Sequence, residues 1–152
     1  MKKLNVLAIM AILFAAVFTS CSSDDGERPS VEVMEPHDNS VVSKGGKILL
    51  KAMLADEIEL SSYKVDIHYA GDGHTHKDGD ASGVEWDFEM TQEISGTTHE
   101  IDMEIDVPLS IMHQGKEETV KEGEYHLGVF VINGSGRDNR TFVDIEITAP
   151  QS

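Results

Sequence analysis

Gly123-Glu-Tyr125-His-Leu127-Gly-Val129-Phe-Val131-Ile-Asn133 is the stretch that decides the fold. Tyr125, Leu127, Val129 and Val131 share one parity, as side chains must if they line one face of a β-strand. Placing those four inward sends His126, Gly128, Phe130 and Ile132 outward. Phe130 and Ile132 are then apolar on an outer face, so either something covers them or the sheet is buried on both sides near its middle.

Upstream the same period-two alternation recurs, rich in β-branched and aromatic residues, and no stretch sustains a helical period. Val31-Glu32-Val33 makes a first strand, ended by Pro36. Lys47 to Leu54 makes a second, with Ile48, Leu50, Ala52 and Leu54 on one face. In the third, Tyr63, Val65, Ile67 and Tyr69 alternate with Lys64, Asp66 and His68. Val84, Trp86, Phe88 and Met90 define a fourth, and Ile101, Met103, Ile105 and Val107 a fifth that Pro108 closes. After an irregular stretch and the Gly123–Asn133 strand, Gly134-Ser-Gly136 turns the chain into a last strand, Phe142-Val-Asp-Ile145-Glu-Ile147. About seven strands in this order, with Gly-x-Tyr125 placed like a tyrosine corner, predict an all-β domain over residues 31–150 built as an immunoglobulin-like sandwich. A small up-and-down barrel is the competing fold.

That topology gives the histidines their meaning. The third and sixth strands are antiparallel neighbours in such a sandwich, so His68 near the end of one and His126 near the start of the other fall close together on the outer face. Residues directly opposite across strands lie about 5 Å apart at Cβ, near enough for two imidazoles to share one ion. The turn-rich loop leaving His68 carries His74-Thr-His76, an i, i+2 pair that projects to one side if extended. His68, His74, His76 and His126, with Asp66 or Asp72 nearby, form a nitrogen-rich set suited to zinc or copper. Surface histidines that simply accompany an acidic loop are the plain alternative. His37 and His113 read as ordinary loop residues, and His99, in parity with Ile101, as a strand-end residue packed on the core.

A second cation motif overlaps the same loop. Asp78-Gly-Asp80-Ala-Ser82-Gly83, with Glu89 at the twelfth position, matches the oxygen positions of a calcium loop. Its context departs from the pattern, because Glu89 lies in an alternating strand rather than a helix and Glu85 stands where an apolar residue belongs. Calcium is therefore the lesser expectation, against a solvated turn.

The N-terminus sets the compartment. Lys2 and Lys3 precede the apolar run Leu4 to Phe18, which is shorter than the roughly 20 residues of a membrane-spanning helix and ends in polar sequence. Residues 1–20 read as a secretory signal. Phe18-Thr19-Ser20-Cys21 resembles the lipobox of lipoprotein precursors, with Phe18 in place of the usual Leu, which makes Cys21 the acylated first residue and the membrane anchor. Residues 21–30 form a polar, acidic tether. Its Asp24-Asp25 cluster resembles the export tag of lipoproteins carried to the outer face of the outer membrane. Cys21 is the single cysteine, so no disulfide can staple the domain.

Removing 20 of the 152 residues leaves 132, enough for one domain with a real core. The signal carries two of the 12 basic residues and no acid, so the mature chain has 10 basic against 28 acidic residues, a net −18. Such a field repels nucleic acid and attracts cations, although solubility alone accounts for many of the acids. No enzyme is expected. Cysteine is committed to the anchor, no Gly-rich phosphate loop precedes a helix, and no Ser stands beside an evident base.

Ser62-Tyr-Lys-Val-Asp-Ile-His68, Gly71-Asp-Gly-His74-Thr-His76 and Glu124-Tyr125-His126 resemble a family of immunoglobulin-like lipoproteins of the Bacteroidetes with a His-rich strand-loop motif and no assigned reaction. The likeness covers roughly Val31 to Ile147. It implies the sandwich fold and the grouping of His68, His74, His76 and His126. The expected function is thus an extracytoplasmic, lipid-anchored metal-binding module of the cell envelope. The alternative is a metal-free adhesion or accessory module in which Phe130, Ile132 and the acidic loop meet an envelope protein partner.

Overall fold

The computed structural model describes residues 27–71 and 82–150. Its elements are β1 (Ser30–Glu35), β2 (Ser40–Ser43), β3 (Lys47–Ala55), β4 (Leu60–Tyr69), β5 (Phe88–Glu93), β6 (Thr98–Asp106), β7 (Ser110–His113), β8 (Lys116–Thr119), β9 (Gly123–Asn133) and β10 (Asp138–Thr148). One sheet runs β1-β3-β6 and the other β2-β10-β9-β4-β5, with β7 and β8 paired apart. In immunoglobulin lettering these are A-B-E against A′-G-F-C-C′, so the fold is the sandwich that the alternation predicts.

The inward parities pack as read from sequence. Ile48, Leu50, Ala52 and Leu54 of β3 and Ile101 and Ile105 of β6 face Val65 and Ile67 of β4, Tyr125 to Val131 at odd numbers in β9, and Ile145 and Ile147 of β10. None of these is more than 2% exposed. Each such aliphatic side chain contributes about 1.5–3 kcal/mol by leaving water. Among the described residues the buried core cluster lies between Ile48 and Ile147, with Val31, Val33 and Val42 packed against it. Tyr125 is fully buried, and its hydroxyl donates to the Lys121 carbonyl at 2.8 Å, which is the tyrosine corner.

Three features depart from the sequence reading. The expected irregular stretch after Pro108 contains the β7–β8 hairpin, whose turn places Gln114 at φ 49° and Gly115 at φ 79°. This pair of left-handed residues suits a tight hairpin turn. The short β2 joins the edge of β10 in parallel, after the chain crosses from one sheet to the other at Pro36. The fourth strand begins at Phe88 rather than Val84, because Val84 bridges Val120 instead, accepting from Lys121 N at 2.8 Å and donating to Thr119 O at 2.9 Å. Trp86 is still buried, packed against Tyr125 with ring centres 6.3 Å apart.

Candidate functional site

The outer face of the five-stranded sheet is laid out in rows by its register. His126 of β9 stands directly opposite His68 of β4 on one side and Asp144 of β10 on the other. The parity argument from Tyr125 therefore places both rings as expected. Their centres are 5.5 Å apart at 70°, edge to face, with 43% of the His68 side chain and 29% of the His126 side chain exposed. An ion about 2.0–2.1 Å from a ring nitrogen sits roughly 3.2 Å from the ring centre, so two imidazoles on one tetrahedral ion have centres about 5 Å apart. The cross-strand spacing is thus of the size that one ion requires.

Each imidazole leans on a carboxylate through the same nitrogen. His126 Nδ1 is 2.6 Å from Asp144 Oδ1, and His68 Nδ1 is 3.1 Å from Asp66 Oδ1, two residues earlier on its own strand. Glu124, next outward residue on β9, completes a half-buried group in which donor atoms of Glu124, His126 and Asp144 lie within 4.8 Å of one another. The Glu124 carboxylate has no hydrogen-bond partner among the described residues. Sequence reasoning passed over Asp144 and Glu124. The signal was present, since Asp144 has outward parity in the strand that the Gly134–Gly136 turn folds back onto β9.

His74, His76 and Asp72, and the calcium-pattern residues Asp78 and Asp80, lie outside the described residues. Of the remaining calcium positions, Ser82 is exposed and Glu89 sits on β5 opposite Asp66, with its carboxylate 3.4 Å from Lys64 Nζ. His99 is half-buried with its ring 5.4 Å from that of Tyr63, as a strand-end residue on the core. His37 is solvent-exposed in the turn between β1 and β2, and His113 is exposed at the end of β7 rather than in a loop.

The next rows of the same face are apolar and cationic. Phe130 and Phe142 meet edge to face at 5.5 Å, with Lys64 Nζ 4.8 Å from the Phe130 centre and the Arg140 guanidinium 6.0 Å from that of Phe142. Both rings lie over Gly128, where an added Cβ would come within 2.8 Å of each. Phe130 is therefore covered in part by its own neighbours, while Phe142 stays 46% and Ile132 41% exposed.

The chain belongs to the family described as Domain of unknown function (DUF4625), which matches residues 19–148. No curated protein matches it. Among solved structures, a catalytically inactive OgpA from Akkermansia muciniphila in complex with an O-glycopeptide is similar at 16% identity and a TM-score of 0.49. That likeness covers 83% of this chain and 31% of OgpA. A β-glucosidase from Listeria innocua in complex with isofagomine is similar at 10% identity and a TM-score of 0.49, over 82% of this chain and 17% of the enzyme. The sporulation control protein Spo0M from Bacillus subtilis is similar at 10% and 0.46, over 82% and 51%. The chain thus spans about half or less of each of these proteins, and likenesses this slight carry no argument about what it does.

Proposed function

We propose that this DUF4625 domain is a lipid-anchored cell-envelope module that captures zinc or copper on the outer face of its five-stranded sheet. His68 and His126 are the central ligands, and His74 and His76 supply the further nitrogens. The observation that carries the reading is the pairing of His68 directly opposite His126, each with Nδ1 on a carboxylate and Nε2 left for an ion. Imidazole donors suit zinc and copper, and the strongly acidic chain raises the local concentration of cations. Acylation at Cys21 would place the domain on a membrane. The chain enters the sandwich beside the β9–β10 turn, where Asn139 donates to Pro29 O and Arg28 to Asp138 O. The histidine pair is at the other end of β4, eight residues from Leu60, roughly 27 Å away at the rise of a strand. On this reading the site faces away from the anchor, open to a partner that delivers or receives the ion.

Elemental analysis of residues 22–152, produced without chelator or affinity tag, tests the reading, followed by calorimetric titration with zinc and copper. A tight site of about one ion per chain is expected; its absence in the wild type refutes the proposal. The metal-free alternative draws on Phe142 and Ile132, exposed beside Phe130 on the same face. It would show as binding to an envelope protein that persists in chelator and is lost in Phe142→Ser.

A further inference from the structure

The two Asp–His contacts are alike in a way that the metal reading alone does not require. An ionised carboxylate can only accept a hydrogen bond, so the ring nitrogen facing it must carry the proton. In a neutral imidazole the other nitrogen is then an acceptor or a ligand, and here that is Nε2 in both rings. We infer that Asp66 and Asp144 are positioning residues: they hold His68 and His126 as Nδ1–H tautomers, aim both Nε2 lone pairs outward from the same row, and stay off the metal themselves. This inference rests on the metal-binding reading above.

Both aspartates are themselves held, one through its backbone and the other through its carboxylate. Asp144 is fixed through its backbone by the turn between β1 and β2: its N–H donates to Asp38 Oδ1 at 2.9 Å, and Asn39 N–H donates to its carbonyl at 2.7 Å. Asp66 uses Oδ1 for His68, while Oδ2 lies 3.5 Å from Lys64 Nζ, which Glu89 and the Phe130 ring also hold. The apolar-cationic rows thus serve the histidine row by pinning Asp66. Glu124 is half-buried like both but differs in having no hydrogen-bond partner for its carboxylate among the described residues, which leaves it to reach the ion directly. Carboxylates behind metal-bound histidines raise ligand basicity and fix ring orientation, and removing one costs 10–100-fold in metal affinity.

The test separates this inference from the one beneath it. Long-range 1H–15N spectra of metal-free residues 22–152 in mildly alkaline solution report which ring nitrogen carries each proton. The expected result is Nδ1–H at His68 and His126, against Nε2–H at solvent-exposed His37. Zinc titration should then show affinity 10–100-fold weaker in Asp66→Ala and Asp144→Ala, and nearly retained in the isosteric Asp144→Asn, whose amide oxygen still accepts. Nε2–H at both rings with zinc still bound tightly overturns the positioning role and leaves the metal reading standing. Loss of binding in Asp144→Asn as complete as in His126→Ala makes Asp144 a ligand and also overturns it. Nδ1–H at both rings with neither zinc nor copper bound by the wild type supports the tautomer lock but overturns the metal reading.

Discussion

Replacing Tyr125 by Phe isolates the hydrogen bond on which the parity of β9 turns. The ring is fully buried between Tyr69, edge to face at 5.3 Å, and Trp86 at 6.3 Å, and its hydroxyl donates to Lys121 O at 2.8 Å. Phe keeps the packing and loses one buried hydrogen bond, a cost of about 1 kcal/mol. Ala loses the ring as well, a further 3–5 kcal/mol or so, which approaches the whole stability of many domains of this size. Denaturant titration followed by fluorescence reads both, because Trp86 is the single tryptophan and packs on Tyr125. Burial pushes the Tyr125 hydroxyl up to about 12, and it raises Tyr63 as well. A folded-state value above the unfolded one, about 10, means that the contribution of Tyr125 is intact below about pH 10 and is lost as pH climbs through about 12. The Phe variant has nothing to titrate there. Wild type should therefore be the more stable protein at neutral pH and lose that advantage in strong alkali, where the two curves converge or cross. An unchanged midpoint in Tyr125→Phe at neutral pH, or parallel curves through the alkaline range, would refute the burial and hydrogen bond assigned to Tyr125.

Tight zinc or copper binding should disappear in His68→Ala and His126→Ala, weaken in His74→Ala and His76→Ala, and persist in His37→Ala and His113→Ala. In the wild type it should fall as acid protonates the ligands, all of this read by calorimetry. Cys21→Ala should block lipidation and leave uncleaved precursor on a gel; normal release of a mature soluble protein would contradict the anchor. Gly128→Ala should destabilise by about 1–3 kcal/mol, since its methyl would meet Phe130 and Phe142 at 2.8 Å. Because the two rings can swing outward, an increase in hydrophobic-dye binding should accompany the loss, and an unchanged melting temperature would contradict the close packing over that backbone.

The sandwich was legible because its core strands are buried on one face only. In β3, β4, β6 and β9 every second residue is apolar, so burial and sequence period coincide. The β7–β8 hairpin escaped because it packs little against either sheet. Lys116, Glu117 and Glu118 follow no apolar alternation, and the remaining sign was the Gln114-Gly115 turn. Trp86 kept its inward parity yet lies outside β5, because its segment is drawn to Val120 by hydrogen bonds that side-chain pattern does not record.

The histidine pair was legible by the same logic, since parity and strand neighbourhood together fix which residues face each other. Its carboxylates were only half legible. Asp66 shares the parity of His68 on one strand, whereas finding Asp144 required carrying the register through the turn after Asn133, which pairs Asp138 with Ile132 and hence Asp144 with His126. Beyond that step the alternation is silent. Parity can set an imidazole on a face, but which nitrogen it turns outward depends on the acceptor beside it, and the residues that carry the acceptors are held by Asp38 and Asn39 at the backbone of Asp144 and by Lys64 at the carboxylate of Asp66. The chemistry of the site is thus decided one layer further from the backbone than its location, at side-chain contacts made across β9 and β10 and along β4 itself.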